Sequence, residues 1–264
     1  MLRRIFWLLA LATLIFLPAP ILIVVMSSFT RNGNVSLSVE DMTLRWYREF
    51  LANDIWLDTL MVSAGLALLA ALLTTLLSIL AALVLVRRRF RLSGAFRLLM
   101  LAPLIFPHAA IGVAMLGMVN SVAWRGTYLG VLLVHLILVI PFAFRPILNS
   151  MEKISPSLEE AGLILGGTPR QNFWRVIFPL LRPGIAASML FSFIMSFDEV
   201  TVTSFIVGPA FTTLPVQVFA HVQDSGSPVI ASVSTMLILI TVVVVVLLDR
   251  LVGLELFINT ERRR

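Results

Sequence analysis

The stretch Thr59–Val86, TLMVSAGLALLAALLTTLLSILAALVLV, runs for 28 residues without a charged side chain. About 20 apolar residues in a helix are enough to cross the hydrocarbon core of a bilayer. Because lipid offers no partners for backbone N–H and C=O groups, a spanning segment of this kind is helical. Five other stretches have the same character, so the sequence predicts six transmembrane helices. Their bounds are about 5–30, 59–86, 98–119, 126–144, 180–207 and 229–248.

The composition supports an all-α integral membrane protein formed by one domain, residues 1–264. Of its residues, 59% are hydrophobic and only 13% are charged, and the mean hydropathy is +1.00. A soluble domain keeps about a quarter of its residues charged. The chain has no cysteine, which excludes disulfides, thiolate metal sites and cysteine nucleophiles.

The basic residues predict the orientation of the chain. With both the N- and C-termini placed in the cytoplasm, 16 basic residues fall in inner segments and 4 in outer segments. Cytoplasmic loops carry the excess of lysine and arginine in membrane proteins. The net charge of +6 therefore follows topology, and nucleic-acid binding is not expected.

The inner loop at residues 145–179 is much longer than a simple connector between two helices requires. Ser157 and Glu160 are spaced as a capping box, and Thr168 with Gln171 repeats that device. Gly166 between them suits a tight turn with positive φ. The loop is predicted to form a helix–turn–helix hairpin whose apolar side chains contact a partner, although folding back on its own helices remains an alternative.

The same loop resembles the EAA loop of binding-protein-dependent ABC importer permeases. That family has Glu-Ala-Ala, three residues, glycine, nine residues and Ile-x-Leu-Pro, and this chain departs from it at Gly162, Val176 and Phe178. The resemblance implies the type I ABC importer permease fold in a bacterial inner membrane, with the loop docked on a separate ATPase. The coupling residues that it implies are Glu160, Ala161, Gly162, Gly166 and Pro179.

The chain is not expected to hydrolyse ATP or to carry a cofactor of its own. A phosphate-binding P-loop needs a lysine after its second glycine, and the single lysine, Lys153, follows Met151-Glu152. His108, His135 and His221 show no metal-ligand spacing and are interpreted as packing residues. No catalytic residue and no metal site are therefore predicted, and ATP is expected on a partner subunit.

Asp198 and Glu199 interrupt the fifth predicted helix. A charged residue within the membrane costs about 2.5–3.5 kcal/mol on insertion scales and usually faces a cavity or a partner. One interpretation is a translocation path that prefers cations, with Ser196 and Thr203 beside the two acids. The other is an ion pair or hydrogen bond that only holds neighbouring helices together, and the sequence leaves both open.

This region is also similar to the fifth-helix region of spermidine/putrescine-type permeases. The segments that carry the similarity are Ser196-Phe197-Asp198-Glu199-Val200, Ser204-Phe205, Gly208-Pro209 and Thr213-Leu214-Pro215. The similarity implies import of a polyamine or a related amino compound by alternating access. The implied partners are two ATP-binding subunits, a second permease subunit (related or identical) and an external solute-binding protein.

Two other classes of protein compete with this interpretation. An ATP-independent secondary transporter or channel would move solute without partners, but it would have no need for the long, organised loop. A membrane-bound enzyme would need a cluster of nucleophile, base or metal ligands, which the sequence does not show.

Overall fold

A computed structural model describes residues 2–31, 42–88, 91–209, 211–224 and 229–252, and every regular element in these ranges is a helix. The α-helices are α1 Leu2–Phe16, α2 Ala19–Ser27, α3 Arg45–Leu51, α4 Asp54–Arg87, α5 Ser93–Leu101, α6 His108–Ser121, α7 Tyr128–Glu152, α8 Pro156–Ile164, α9 Pro169–Asn172, α10 Phe178–Phe197, α11 Thr203–Ile206, α12 Leu214–Asp224 and α13 Val229–Val252. A 3₁₀ turn, Ala102–Leu104, follows α5, and a π turn, Phe173–Ile177, joins α9 to α10.

Among the described residues, five helical segments are long and apolar enough to cross a membrane. They are Arg4–Ser27, Asp54–Arg87, Tyr128–Glu152, Pro169–Phe197 and Val229–Leu247. The pair Ser93–Leu104 and His108–Ser121 makes a sixth if the two are counted as one span. The prediction of an all-helical membrane protein is confirmed, and the predicted number of spans matches the higher count.

The third predicted helix, 98–119, is not continuous in the structure. Its two halves meet at an angle of 102°, and Pro107 at the start of α6 is extended, with φ −59° and ψ 134°. Proline lacks an N–H and pushes the preceding residue out of the helical region. Pro103 and Pro107 therefore break this helix, where the sequence predicted one continuous span.

The helices that flank the 145–179 loop extend further into it than predicted. The fourth helix continues past residue 144 to Glu152, and the fifth begins at Pro169 and ends at Phe197. The fifth helix therefore does not reach the predicted residue 207, because the chain turns at Asp198 before α11 begins. Only residues 153–168 lie between the two long helices. The predicted loop was longer because the prediction followed the apolar stretches, and a helix can continue beyond such a stretch.

Smaller differences affect the first and last predicted helices. The first, 5–30, is divided at Pro18 into α1 and α2, and the last extends from Val229 to Val252. Arg89 and the basic cluster at residues 262–264, which contributed to the predicted orientation, lie outside the described residues.

The described residues form two compact units. The first comprises those of Met1–Leu60 and Gln217–Val242, and the second those of Met61–Val216 and Val243–Arg264. In the first, the ring of Trp56 packs edge-on against His221 with centroids 5.0 Å apart. The single domain over 1–264 stays a prediction.

The described residues of the second unit form two buried apolar clusters. One is formed by α4, α6, α7 and α11, around Leu66, Val134 and Ile206. The other is formed where the ends of α4 and α7 meet the beginning of α10. Helices α7 and α10 pack closely because Gly184 has no side chain, and a Cβ built there would lie 2.9 Å from Pro146 O.

Candidate functional site

Helix α8 begins two residues earlier than the sequence predicted. Its cap is Ser155, whose Oγ accepts a hydrogen bond from the Ser157 backbone N–H at 3.4 Å. Pro156 takes the first helical position, where its missing N–H has no consequence. The predicted capping box of Ser157 and Glu160 is therefore wrong, because the proline sets the start of the helix.

The turn after α8 has the geometry expected for a glycine C-cap. Gly166 has φ +83°, its N–H donates to Leu163 O at 3.0 Å, and the Gly167 N–H donates to Gly162 O at 3.1 Å. These two bonds define a Schellman motif, in which the residue of positive φ is usually glycine. The predicted glycine turn is confirmed at Gly166.

Helix α9 begins with the predicted capping box. Thr168 Oγ1 accepts from the Gln171 N–H at 3.3 Å, and Gln171 Oε1 accepts from the Thr168 N–H at 2.9 Å. We refer to residues 155–172 as the α8–α9 hairpin. Its second arm continues through the π turn into α10, so the hairpin and a membrane-spanning helix form one continuous segment.

The tip of the hairpin presents apolar side chains to its surroundings. Ile164 and Leu165 are 85% and 88% exposed, and Glu160 and Ala161 beside them are also exposed. The four predicted coupling residues Glu160, Ala161, Gly162 and Gly166 therefore lie on one small element. Pro179 is separate from them, half-buried near the start of α10.

A second polar site lies where α10 ends. The Glu199 carboxylate is turned inward and is 8% exposed. Its Oε1 accepts from the Val202 N–H at 2.7 Å, and its Oε2 lies 3.3 Å from His108 Nδ1 at the beginning of α6. Glu199 thus joins the turn after α10 to the helix that follows the 102° bend.

His135 brings two of the predicted path residues together. It is fully buried in α7, with Nδ1 at 2.7 Å from Ser196 Oγ and Nε2 at 2.9 Å from Thr203 Oγ1. A neutral imidazole has one donor and one acceptor nitrogen, and a hydroxyl can serve either role. The histidine therefore connects α7, α10 and α11 by hydrogen bonds.

Asp198 differs from the other three predicted path residues. It is the C-cap residue of α10, where its backbone N–H donates to Ile194 O and its side chain is exposed. Ser196, Glu199 and Thr203 are instead buried and hydrogen-bonded within the chain. The contacts of Glu199 fit the second interpretation of the sequence, in which an ion pair or hydrogen bond holds neighbouring helices together. The role of these four residues in a path for cations stays a prediction.

Two residues of these sites were not predicted to belong to them. The sequence analysis interpreted His108 and His135 as packing residues. Their partners are distant along the chain, so no local spacing could reveal them. Among the described residues, no group of three or more His, Cys, Asp or Glu side chains is arranged to hold a metal ion.

An apolar cavity of about 370 Å³ lies at the bend between α5 and α6. Its walls are formed by Leu99, Ala102, Pro103, Phe106, Ala110, Ile111, Ala114, Met115 and Ile137. None of these side chains can neutralise or hydrogen-bond an ammonium group. The cavity is therefore distinct in chemistry from the polar site that contains Glu199.

The fold and these two sites are those of a helical protein with several candidate membrane spans and an ordered helical hairpin between two of them. Residues 74–254 match the family described as "Binding-protein-dependent transport system inner membrane component". The chain belongs to this family. It is a permease subunit of an ABC importer, which decides against an ATP-independent transporter and against a membrane-bound enzyme.

Curated relatives cover most of the chain. The putrescine transport system permease protein PotI of Escherichia coli (strain K12) is 32% identical over 231 residues, which cover 84% of this chain and 82% of that protein. The spermidine/putrescine transport system permease protein PotC of the same strain is 28% identical over 235 residues, covering 88% and 87%. These relatives bear out the resemblance to spermidine/putrescine-type permeases.

A solved structure supports the fold. One chain in the crystal structure of a bacterial ABC transporter involved in the import of the acidic polysaccharide alginate matches with a TM-score of 0.67. The match covers 94% of this chain and 96% of that chain at 18% identity. Family membership further implies an inner-membrane location and a role in transport rather than catalysis. It also implies partners, namely an ATPase, a second permease and a substrate-binding protein.

Proposed function

We propose that this chain is the permease subunit of an importer for a polyamine or a related small amino compound. The names of its relatives PotI and PotC support this substrate class. The observation that carries the proposal is the exposed carboxylate of Asp198 at the end of α10. A carboxylate at a membrane entrance favours an ammonium group through charge and hydrogen bonding.

The proposed assembly has two ATP-binding subunits, this chain, a second permease subunit that is related or identical, and an external solute-binding protein. This chain adopts the type I importer permease fold in a bacterial inner membrane, with both termini in the cytoplasm. ATP is bound by the partner subunits, and this chain itself needs no cofactor. The excess of basic residues in the proposed inner segments supports the orientation.

In the proposed mechanism, the α8–α9 hairpin is held in a groove of the ATPase. The exposed Ile164 and Leu165 supply apolar contact area, and Glu160 supplies a charge for a basic partner. Closure of the ATPase dimer on ATP moves the hairpin, and α10 moves with it because the two are continuous. The path then opens outward to receive the solute from the binding protein.

The residues at the end of α10 have separate roles in this mechanism. Asp198 contacts the passing cation, while Glu199 keeps the turn after α10 in place through Val202 and His108. Ser196 and Thr203 line the same region but are held by His135. They shape the path and become available to solute only when helices move apart.

The proposal is tested by replacing the exposed Glu160 with lysine. Reversal of this charge places a cation against the basic groove that the ATPase is expected to offer, so uptake of labelled putrescine should be lost while membrane insertion is retained. The measurement compares uptake and membrane content of the variant and wild type in cells that lack other polyamine importers. Normal putrescine uptake by Glu160→Lys would contradict the proposed coupling.

A further inference from the structure

Arg87 ends the long helix α4 and contacts the hairpin region at two points. Its Nη2 donates to Ile154 O at 3.2 Å, and the same nitrogen forms an ion pair with the carboxylate of Glu159. Ile154 directly precedes the hairpin, and Glu159 lies within α8. The guanidinium group of Arg87 therefore contacts both the residue that precedes the hairpin and its first helix.

The ion pair between Arg87 and Glu159 is partly withdrawn from water. Each side chain is only 19% exposed, and Arg87 Nε is buried without a hydrogen-bond partner among the described residues. A partly buried charge is screened less than a surface charge and is left uncompensated when its partner is removed. The two side chains are therefore expected to act as a unit.

A second arginine–glutamate ion pair of the chain connects other helices and can serve as a control. Arg97 Nη2 lies 2.8 Å from Glu152 Oε1, and these side chains are 48% and 42% exposed. They join α5 to the last turn of α7 and do not contact the hairpin. Exposed pairs of this kind contribute little, so they provide a control for the loss of one charge in this region.

Apolar packing fixes the base of the hairpin to the same end of α4. Ile154 and Ile177, which flank the hairpin, are buried in one cluster with Ile79 and Ala82 of α4. At 1.5 Å per residue the 34 residues of α4 extend for about 51 Å. A displacement of the hairpin base can therefore be carried along most of a membrane-spanning helix.

Two adjacent acidic residues of α8 thus have different surroundings. Glu159 is directed to Arg87 of its own chain, and its backbone carbonyl accepts from Asn172 Nδ2 at 2.9 Å. Glu160, the residue that the loop pattern places at the ATPase, is exposed. Binding to a partner through Glu160 leaves the link between Glu159 and Arg87 intact.

We infer that Arg87 is a positioning residue which, through Glu159 and Ile154, makes the hairpin and the end of α4 move as one body. This inference rests on the proposed function, in which a separate ATPase grips the hairpin. Movement then reaches the membrane by α7 and α10, which the covalent chain joins directly to the two ends of the hairpin. It also reaches the membrane by α4, through the link made by Arg87.

The absence of cysteine from the chain allows spin labels to be placed at chosen positions. We would introduce Ser157→Cys on the hairpin and Val84→Cys on α4, both at exposed positions. The labelled chain is purified with its ATPase. The distance between the two spin labels is then measured by double electron–electron resonance, first without nucleotide and then after trapping with ATP and vanadate. This readout requires no knowledge of the transported solute.

In the wild-type background, the distance between the labels should change by less than about 2 Å on trapping, as expected for a rigid pair of elements. Arg87→Gln should give the same distance without nucleotide but an increase or broadening of about 5 Å after trapping, comparable to one helical turn. Glu159→Gln should behave in the same way and serves if Arg87→Gln assembles poorly. Arg97→Gln should match wild type.

The remaining outcomes separate the two proposals. This inference alone would be overturned if the labels in the wild-type background moved apart on trapping. It would also be overturned if the distances in Arg87→Gln and Glu159→Gln matched wild type while the ATPase was retained. A difference already present without nucleotide would mean a structural role only and would also overturn it. If the wild-type chain retains no ATPase, or if Glu160→Lys retains it with normal uptake, the proposed function fails and the inference fails with it.

Discussion

Gly162 lies against the side chain of Asn172 where α8 meets α9. A Cβ built at Gly162 would overlap Asn172 Oδ1. Asn172 is buried, and its Nδ2 is held by Glu159 O at 2.9 Å, so the amide cannot easily move away. The departure of this loop from the alanine of the EAA pattern is therefore explained by the asparagine ten residues later.

Gly162→Ala is expected to loosen the hairpin. Overpacking costs about 1–3 kcal/mol, while the better helix propensity of alanine recovers about 1 kcal/mol, which leaves a net loss of about 1 kcal/mol. Hydrogen exchange of hairpin amides should become about fivefold faster, because exchange reports local opening. Gly117→Ala, where nothing lies within 4 Å of the added Cβ, is the control, and unchanged hairpin exchange in Gly162→Ala would contradict the steric argument.

Asp198→Asn is expected to weaken uptake without affecting assembly. The variant loses the charge at an exposed position but keeps the size of the side chain. A charged hydrogen bond is stronger than a neutral one by about 1 kcal/mol, so the KM for labelled putrescine should rise roughly fivefold. The exposed Glu49→Gln is the matched control, and an unchanged KM for Asp198→Asn would remove Asp198 from the path.

At the level of elements, His135 joins three helices through hydroxyl groups that are themselves buried. His135→Leu would leave the hydroxyls of Ser196 and Thr203 without this partner. An unsatisfied buried group costs about 1–3 kcal/mol, so the variant should lose roughly 2 kcal/mol of stability and show a lower Tm in detergent.

Removal of the hydroxyls together with the histidine should restore most of this loss. Replacement of all hydrogen-bonding partners by apolar groups of similar shape is nearly neutral, so the triple variant H135L/S196A/T203V is the control for His135→Leu. A triple variant as unstable as the single one would show that the size of the imidazole, rather than its hydrogen bonds, holds the helices.

The elements were predictable from the sequence to the extent that local chemistry determines them. Apolar length identified the spans, and the Thr168 cap and the Gly166 turn followed from short-range hydrogen bonding. Pro103 and Pro107 were visible, yet the 102° bend depends on what packs around them. Likewise, the pairing of Arg87 with Glu159 joins residues 72 positions apart and leaves no local signal.

At the scale of the molecule, one helical segment joins the two candidate sites. The run Pro169–Phe197 begins in the hairpin and ends at Asp198 and Glu199. Its 29 residues correspond to roughly 40 Å. A continuous helical segment can transmit a displacement between its two ends, so events at the hairpin can alter the polar site without a chain of side-chain movements between them.

The orientation of the chain can be tested with the same cysteine-free background. Arg125→Cys and Arg170→Cys each replace one exposed arginine, at opposite ends of the span Tyr128–Glu152 and its following hairpin. The positive-inside rule places residue 125 outside and residue 170 inside. A membrane-impermeant maleimide should therefore label Cys at position 125 in intact cells and at position 170 only after permeabilisation. The unmodified chain provides the background, and reversed labelling would put the hairpin on the side of the membrane where ATP is absent, which is incompatible with coupling to an ATPase.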